Sequence, residues 1–248
     1  MFYLKHETRN SKHKLRRNVT SAYQKDWIVS KAEKTRIASQ ERVYQTFLNL
    51  FDNILKKKFK GKILDLGCGD GALVQLLNTK KDIIAEGIDI GHGINFETDR
   101  LPYKNNSFDI AIMYSVIEHI HNPGNILTEV KRILKPGGAI IIITANFDLT
   151  SPLTYDTSFY NDPTHIHPYN YISIEHLMRL YGFKKDFIGL WTVKKSASIW
   201  KMSPKLQFTL GALLPFSGAT KYAPSFLKGK SKSMICVFNN DKRDRHRK

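Results

Sequence analysis

The chain has 248 residues, 42% of them hydrophobic and 25% charged, with 39 Lys+Arg against 22 Asp+Glu and a formal net charge of +17. That length fits one domain with extensions, and the composition excludes wholesale disorder and collagen-like or low-complexity sequence. Two cysteines, Cys68 and Cys236, exclude a disulfide scaffold and make a reducing, cytoplasmic compartment the expectation.

The charge is uneven. Residues 1–60 hold 15 basic and 5 acidic side chains, residues 61–183 hold 9 and 14, and residues 184–248 hold 15 and 3. An acidic middle therefore sits between two basic extensions. Met1 to Asn18 has no apolar run of signal-peptide type, and no stretch approaches the ~18 apolar residues of a membrane span. Leu206 to Thr220 is uncharged but broken by Gly211, Pro215, Ser217 and Gly218. Asn18-Val19-Thr20 is a glycosylation sequon by chance, since no secretion signal accompanies it.

In chain order, residues 1–36 read as a basic arm. The spacing of Ile37, Val43, Phe47, Leu50, Phe51, Ile54 and Leu55 predicts a helix over 31–58 with one apolar face. Short apolar runs at 62–66, 83–90, 108–114 and 139–144 read as strands, with helices over 73–77 and 126–134. Four consecutive isoleucines in the 139–144 run predict a strand buried on both faces. A helix over 172–181 and strands over 186–193 and 233–239 complete the pattern. Strands alternating with helices imply a largely parallel sheet covered on both sides. The expected domain comprises 37–195 and 233–240, with 196–232 as an apolar-basic insertion and 241–248 as a basic tail.

The chemistry-bearing segment is Ile63-Leu64-Asp65-Leu66-Gly67-Cys68-Gly69-Asp70-Gly71. It reads as a buried strand, a glycine-rich turn and a helix start, where free N–H groups accept an anion and glycines admit a ligand closely. Asp89 ends the next strand, in Gly87-Ile88-Asp89-Ile90, where a carboxylate can accept both ribose hydroxyls of a nucleoside. Gly67-x-Gly69-x-x-Ala72 also satisfies the dinucleotide fingerprint. Asp65 separates the two ligand classes: a pyrophosphate gains nothing from a carboxylate aimed at it, whereas a ligand with a cationic amino group does.

With these residues the sequence resembles the class I S-adenosylmethionine-dependent methyltransferases, in the small-molecule and glycan group. Ile63–Gly71 resembles the family's first motif and Gly87–Ile90 its second. The words Leu101–Tyr103, Ser107–Asp109, Glu118–His119 and Leu134–Gly138 follow in the family's order. The resemblance covers about residues 60–193. It implies an α/β, Rossmann-like fold with a seven-stranded, mostly parallel sheet, shortened around the third strand because so few residues follow Asp89. It also implies S-adenosylmethionine as cofactor and no metal. By the same resemblance, Asp65, Gly67, Cys68, Gly69 and Gly71 face the methionine part, Asp89 holds the ribose and Ile90 packs on the adenine. Asn95 or Glu97 takes the adenine edge, and Tyr114 and Ser115 lie beside the methyl group.

His119 and His121, and His165 and His167, form two i,i+2 pairs, but no Cys cluster or His-Glu-x-x-His accompanies them. His165 is the candidate general base or substrate-orienting residue, with Asp162 close by and His119 a candidate or a structural hydrogen-bonder. Asp162-Pro163-Thr164-His165 resembles a word of methyltransferases that modify surface polysaccharides and glycans. The acceptor is expected to be a small molecule, glycan or lipid-linked compound, methylated at a hydroxyl. The segment 196–232, with Trp200, Phe208, Phe216 and flanking lysines, is either a lid on the core or a contact with an anionic membrane. The basic flanks keep an RNA methyltransferase as an alternative, although Tyr114-Ser115-Val116-Ile117 lacks the Pro-Pro-aromatic word of enzymes that hold a flipped base. A non-catalytic cofactor-binding protein is the other alternative.

Overall fold

The computed structural model describes residues 33–147, 159, 162–191, 201–207 and 233–241. The arm up to residue 32, most of the 196–232 segment and the tail from 242 lie outside the described residues.

Helix α1 spans Glu33–Asn49 and continues as a wider, π-helical stretch over Leu50–Leu55. It ends at Lys56, whose left-handed φ of 54° turns the chain. Strand β1 (Gly61–Leu66), helix α2 (Ala72–Leu77) and strand β2 (Ile83–Ile88) follow. Then come β3 (Phe108–Tyr114), α3 (Gly124–Ile133), β4 (Leu134–Ala145), α4 (Tyr171–Leu180), β5 (Lys184–Leu190) and β6 (Ser233–Asn239). The sheet order is β2-β1-β3-β4-β6-β5. β1 to β4 pair in parallel, and β6 runs antiparallel between β4 and β5.

Six strands, not the expected seven, form the sheet among the described residues. The reason lies in the chain between β2 and β3. Asp89 caps a single 3-10 turn at Ile90–His92, Gly93 then takes φ 80°, and Pro102 sits further along. That stretch offers no apolar run long enough to pay for a further strand.

The isoleucines of β4 pack on both faces, as their pattern predicts. Ile140 and Ile142 join α3 and α4 in one core, and Ile141 and Ile143 join α1 and α2 in the other. All four are at most 1% exposed, so each contributes about 1.5–3 kcal/mol of burial. β2 is an edge strand, and its outward amide pair is closed by one side chain. Asn78 Nδ2 donates to the Ala85 carbonyl at 2.9 Å and the Ala85 N–H donates to Asn78 Oδ1 at 2.7 Å. An asparagine amide thus stands where a neighbouring strand's peptide would be.

The carboxyl ends of β1, β2, β3 and β4 lie along one edge of the sheet. Strand order reverses between β1 and β3, and open α/β sheets form their ligand crevice at such a reversal. No described helix is long and apolar enough to cross a membrane.

Candidate active site

The glycine loop leaves β1 with Gly67, Gly69 and Gly71 all at positive φ (79°, 55° and 76°), a path that L side chains rarely follow. Gly67 has a second reason to be glycine: a Cβ there would run into Val116 Cγ2, on the turn after β3. The loops after β1 and β3 are therefore in contact.

Asp65 is 4% exposed, and among the described residues no donor reaches its carboxylate. Burial, with the Asp89 carboxylate adding to it, pushes its pKa up to about 7. A buried carboxylate with no cation of its own is a site that a cationic ligand completes. Asp89 is organised instead by backbone: Gly69 N–H donates to Oδ2 and Gly91 N–H to Oδ1, both at 3.1 Å. This ties the glycine loop to the turn after β2 and orients the carboxylate predicted to meet ribose. His92, which the sequence reading passed over, accepts the Asp89 N–H on Nδ1 at 2.9 Å. Its place three residues after Asp89, at a capping-box position, is the signal that was available. Cys68 is half-buried, and burial pushes its thiol up to about 12, which disfavours the thiolate.

Ile90 opens the 3-10 turn. Asn95 Oδ1 accepts the Glu97 N–H at 3.0 Å, and Glu97 Oε1 accepts the His121 N–H at 3.0 Å. Among the described residues no acceptor takes the Asn95 amide NH2, while Glu97 ties its loop to the turn after β3. Tyr114 ends β3, 37% exposed, with its ring 6.0 Å from that of Trp191. Ser115 follows at φ 54°, an uncommon value for a non-glycine residue, held by its N–H to the Ile143 carbonyl at 2.8 Å.

The structure brings His119, Asp162 and His165 together and adds a residue that the sequence reading did not select, Glu118. Its signal was the Glu-His pair itself. Glu118 is 1% exposed, and Thr144 of β4 donates to its Oε2 at 2.9 Å. Burial holds its carboxyl above the usual range. Thr164 Oγ1 donates to Asp162 Oδ1 at 2.6 Å, so Thr164 Oγ1 in turn accepts from His119 Nδ1 at 2.9 Å. His165 Nδ1 donates to the Phe159 carbonyl at 2.7 Å, and its ring stacks on Phe159 at 4.5 Å. The Nδ1 atoms of both imidazoles are thereby taken up by oxygen partners, which leaves Nε2 of each ring for another partner. Burial, with His165 beside it, lowers the His119 pKa and keeps that ring neutral. For Asp162, burial pulls the pKa upward, but the hydrogen bonds from Thr164 outweigh it and the net direction is down. His167 stands apart, its Nε2 donating to the His121 carbonyl at 2.9 Å.

The described part of the insertion, 201–207, rests on the sheet. Gln207 is fully buried; its Oε1 accepts the Leu190 N–H at 3.2 Å and its Nε2 donates to the Met202 carbonyl at 2.8 Å.

A sequence model described as a methyltransferase domain matches residues 37–186. The chain belongs to that family. It is an S-adenosylmethionine-dependent methyltransferase. An uncharacterized protein of Methanocaldococcus jannaschii is 29% identical over 171 residues, covering 62% of this chain and 69% of the relative. A ubiquinone biosynthesis O-methyltransferase of Caulobacter vibrioides is 29% identical over 114 residues, covering 38% of this chain and 45% of the relative. The crystal structure of a SAM-dependent methyltransferase from Archaeoglobus fulgidus superposes with a TM-score of 0.52 at 17% identity, over 82% of this chain and 94% of that one. That likeness concerns the fold alone.

Proposed function

We propose that this methyltransferase transfers its methyl group to a hydroxyl of a small-molecule, glycan or lipid-linked acceptor. The observation that carries the reading is the grouping of His119 and His165 beside Glu118, on the rim formed after β3 and β4. A hydroxyl nucleophile needs a proton acceptor there, and neutral histidine supplies one near physiological pH. The O-methyltransferase name of the Caulobacter relative points the same way.

The cofactor fits the residues present. Bound, it supplies an electrophilic methyl group on a sulfonium. Asp65 would hold its amino group, the loop Gly67–Gly71 its methionine backbone, Asp89 its ribose and Asn95 the adenine edge, with Ile90 against the base. Tyr114 and Ser115 would shape the passage between methyl group and acceptor and exclude water. His165 Nε2 would take the hydroxyl proton as the acceptor oxygen attacks. Asp162, 3.9 Å from that nitrogen, would stabilise the imidazolium that forms.

His165→Ala is expected to lower kcat by about 100-fold or more while cofactor affinity stays within about twofold, measured by calorimetry and labelled-methyl transfer. Unchanged turnover would sink the assignment. The acceptor class is read by transferring labelled methyl groups into fractionated cell extract. Label is expected in the glycan, lipid or small-molecule pools; label confined to RNA would replace this reading. For a lipid-linked acceptor, the full chain should float with anionic vesicles at low salt and be released at high salt.

A further inference from the structure

We propose that Glu118, His119 and His165 form a binding site for one divalent first-row transition-metal ion, of the Zn2+, Fe2+ or Mn2+ kind. This departs from the sequence expectation of no metal, which looked for ligands within the i,i+2 histidine pairs. The set is instead assembled from two pairs, one histidine from each, with a carboxylate beside them.

One ligand atom from each of the three residues lies within 4.8 Å of the other two. Nitrogen and oxygen ligands about 2.0–2.2 Å from a shared ion sit roughly 3–3.5 Å apart, so modest side-chain adjustment closes the set. The hydrogen bonds around the rings suit such a set. His119 spends Nδ1–H on Thr164, and His165 spends Nδ1–H on the Phe159 carbonyl. With Nδ1 of each ring engaged, Nε2 is the nitrogen left for an ion, as in metal-bound histidines whose other ring nitrogen is held by an orienting partner. Glu118 is oriented in the same manner by the Thr144 hydroxyl. Asp162 orients Thr164 in turn.

Charge supports a cation as well. Glu118 and Asp162 lie close to two imidazoles, and among the described residues no lysine or arginine pairs with either carboxylate. Two imidazoles and one carboxylate select a borderline transition ion over Mg2+ or Ca2+, which take oxygen ligands. Three protein ligands also leave coordination positions open. With an ion bound, His165 Nε2 is a ligand and no longer the proton acceptor, so an acceptor hydroxyl bound in one of the open positions would lose its O–H proton to water instead. Its oxygen then forms the new O–CH3 bond as the S–CH3 bond breaks, leaving a neutral thioether. That last role rests on the hydroxyl-methylation reading; the binding of the ion does not.

The test uses the full chain, stripped with chelator and titrated with Co2+ and Zn2+ in calorimetry, with Co2+ visible absorption and imidazole nitrogen NMR. One ion per chain is expected, with Zn2+ shifting Nε2 of His119 and His165 and leaving His167 unmoved. His165→Ala and Glu118→Gln should weaken binding by about 10-fold or more, and His167→Ala should not. Shifts at His167 instead, or no binding by the folded wild-type chain, would overturn the site. The wild-type NMR decides the matter even if a variant fails to fold. Cofactor binding is measured in parallel. Failure to bind an ion, with cofactor binding and hydroxyl methylation retained, overturns this inference alone. Metal binding with label found only in RNA overturns the acceptor reading alone.

Discussion

Asp65 shows how one side chain can be costly to the empty protein and useful to the filled one. Its pKa stands at about 7 against an ordinary 3.8, because burial disfavours the charge. A raised carboxylate pKa means that the folded state binds the proton more tightly than the unfolded state. The empty protein therefore loses stability as pH rises from about 4 to about 7 and stays penalised above that. Cofactor binding runs the opposite way, because the cationic amino group needs the ionised form. Cofactor affinity is expected to fall about tenfold per pH unit well below pH 7 and to level off above it, by calorimetry. Asp65→Asn should flatten that profile and weaken binding, while making the empty protein more stable at pH 8 by roughly 1–3 kcal/mol in thermal unfolding. A variant that bound cofactor with the same pH profile would remove Asp65 from the site.

At the scale of elements, the α3–β4 junction hangs on a residue from the other end of the chain. Asn240 is fully buried, and its Nδ2 donates to the carbonyls of Lys131, Leu134 and Lys135 at 3.0–3.3 Å. Its backbone N–H and carbonyl bond Gly138 and Gly137. The side chain thus satisfies carbonyls that the end of a helix leaves without partners. Asn240→Ala should cost about 1–3 kcal/mol in denaturant unfolding, with the slope unchanged. Nothing near Asn240 in the sequence announces this, since its partners lie more than a hundred positions earlier. By contrast, α3 was legible from the spacing of Ile126, Leu127, Val130 and Ile133, all of which face the core. β4 was legible from its isoleucines, yet the strand begins at Leu134, before the glycines, because Gly138 lets the chain pass against the Asp109 carbonyl. The words Leu101–Tyr103 and Arg132 also have a joint meaning visible only in space. The Arg132 guanidinium donates to the Leu101 and Tyr103 carbonyls at 3.0 and 2.6 Å, and Glu129 accepts the Leu101 N–H at 2.8 Å. The glycine loop and Asp89 were readable because local backbone chemistry dictates them. Glu118 was not selected, because its importance comes from Thr144 and His165, which only folding brings to it.

For the molecule as a whole, the acidic middle coincides with the described catalytic core, while the basic excess lies mostly in segments outside the described residues. Within that core, the missing third strand leaves the loop between β2 and β3 with other supports. Asn125 of α3 donates to the Phe96 and Asp99 carbonyls at 3.1 and 2.9 Å. Glu97 takes the His121 N–H, and the His121 carbonyl takes His167 Nε2–H. The loop expected to close over the nucleoside is therefore wired to the wall expected to receive the acceptor. Such wiring couples the two sides, and its expected consequence is that the ligands enter in sequence. Product-inhibition patterns are expected to give a compulsory order, cofactor first. Glu97→Ala should shift them toward random entry and raise the acceptor KM several-fold, with kcat within about twofold. The stretch that replaces a further strand would then serve to set the order in which the ligands enter.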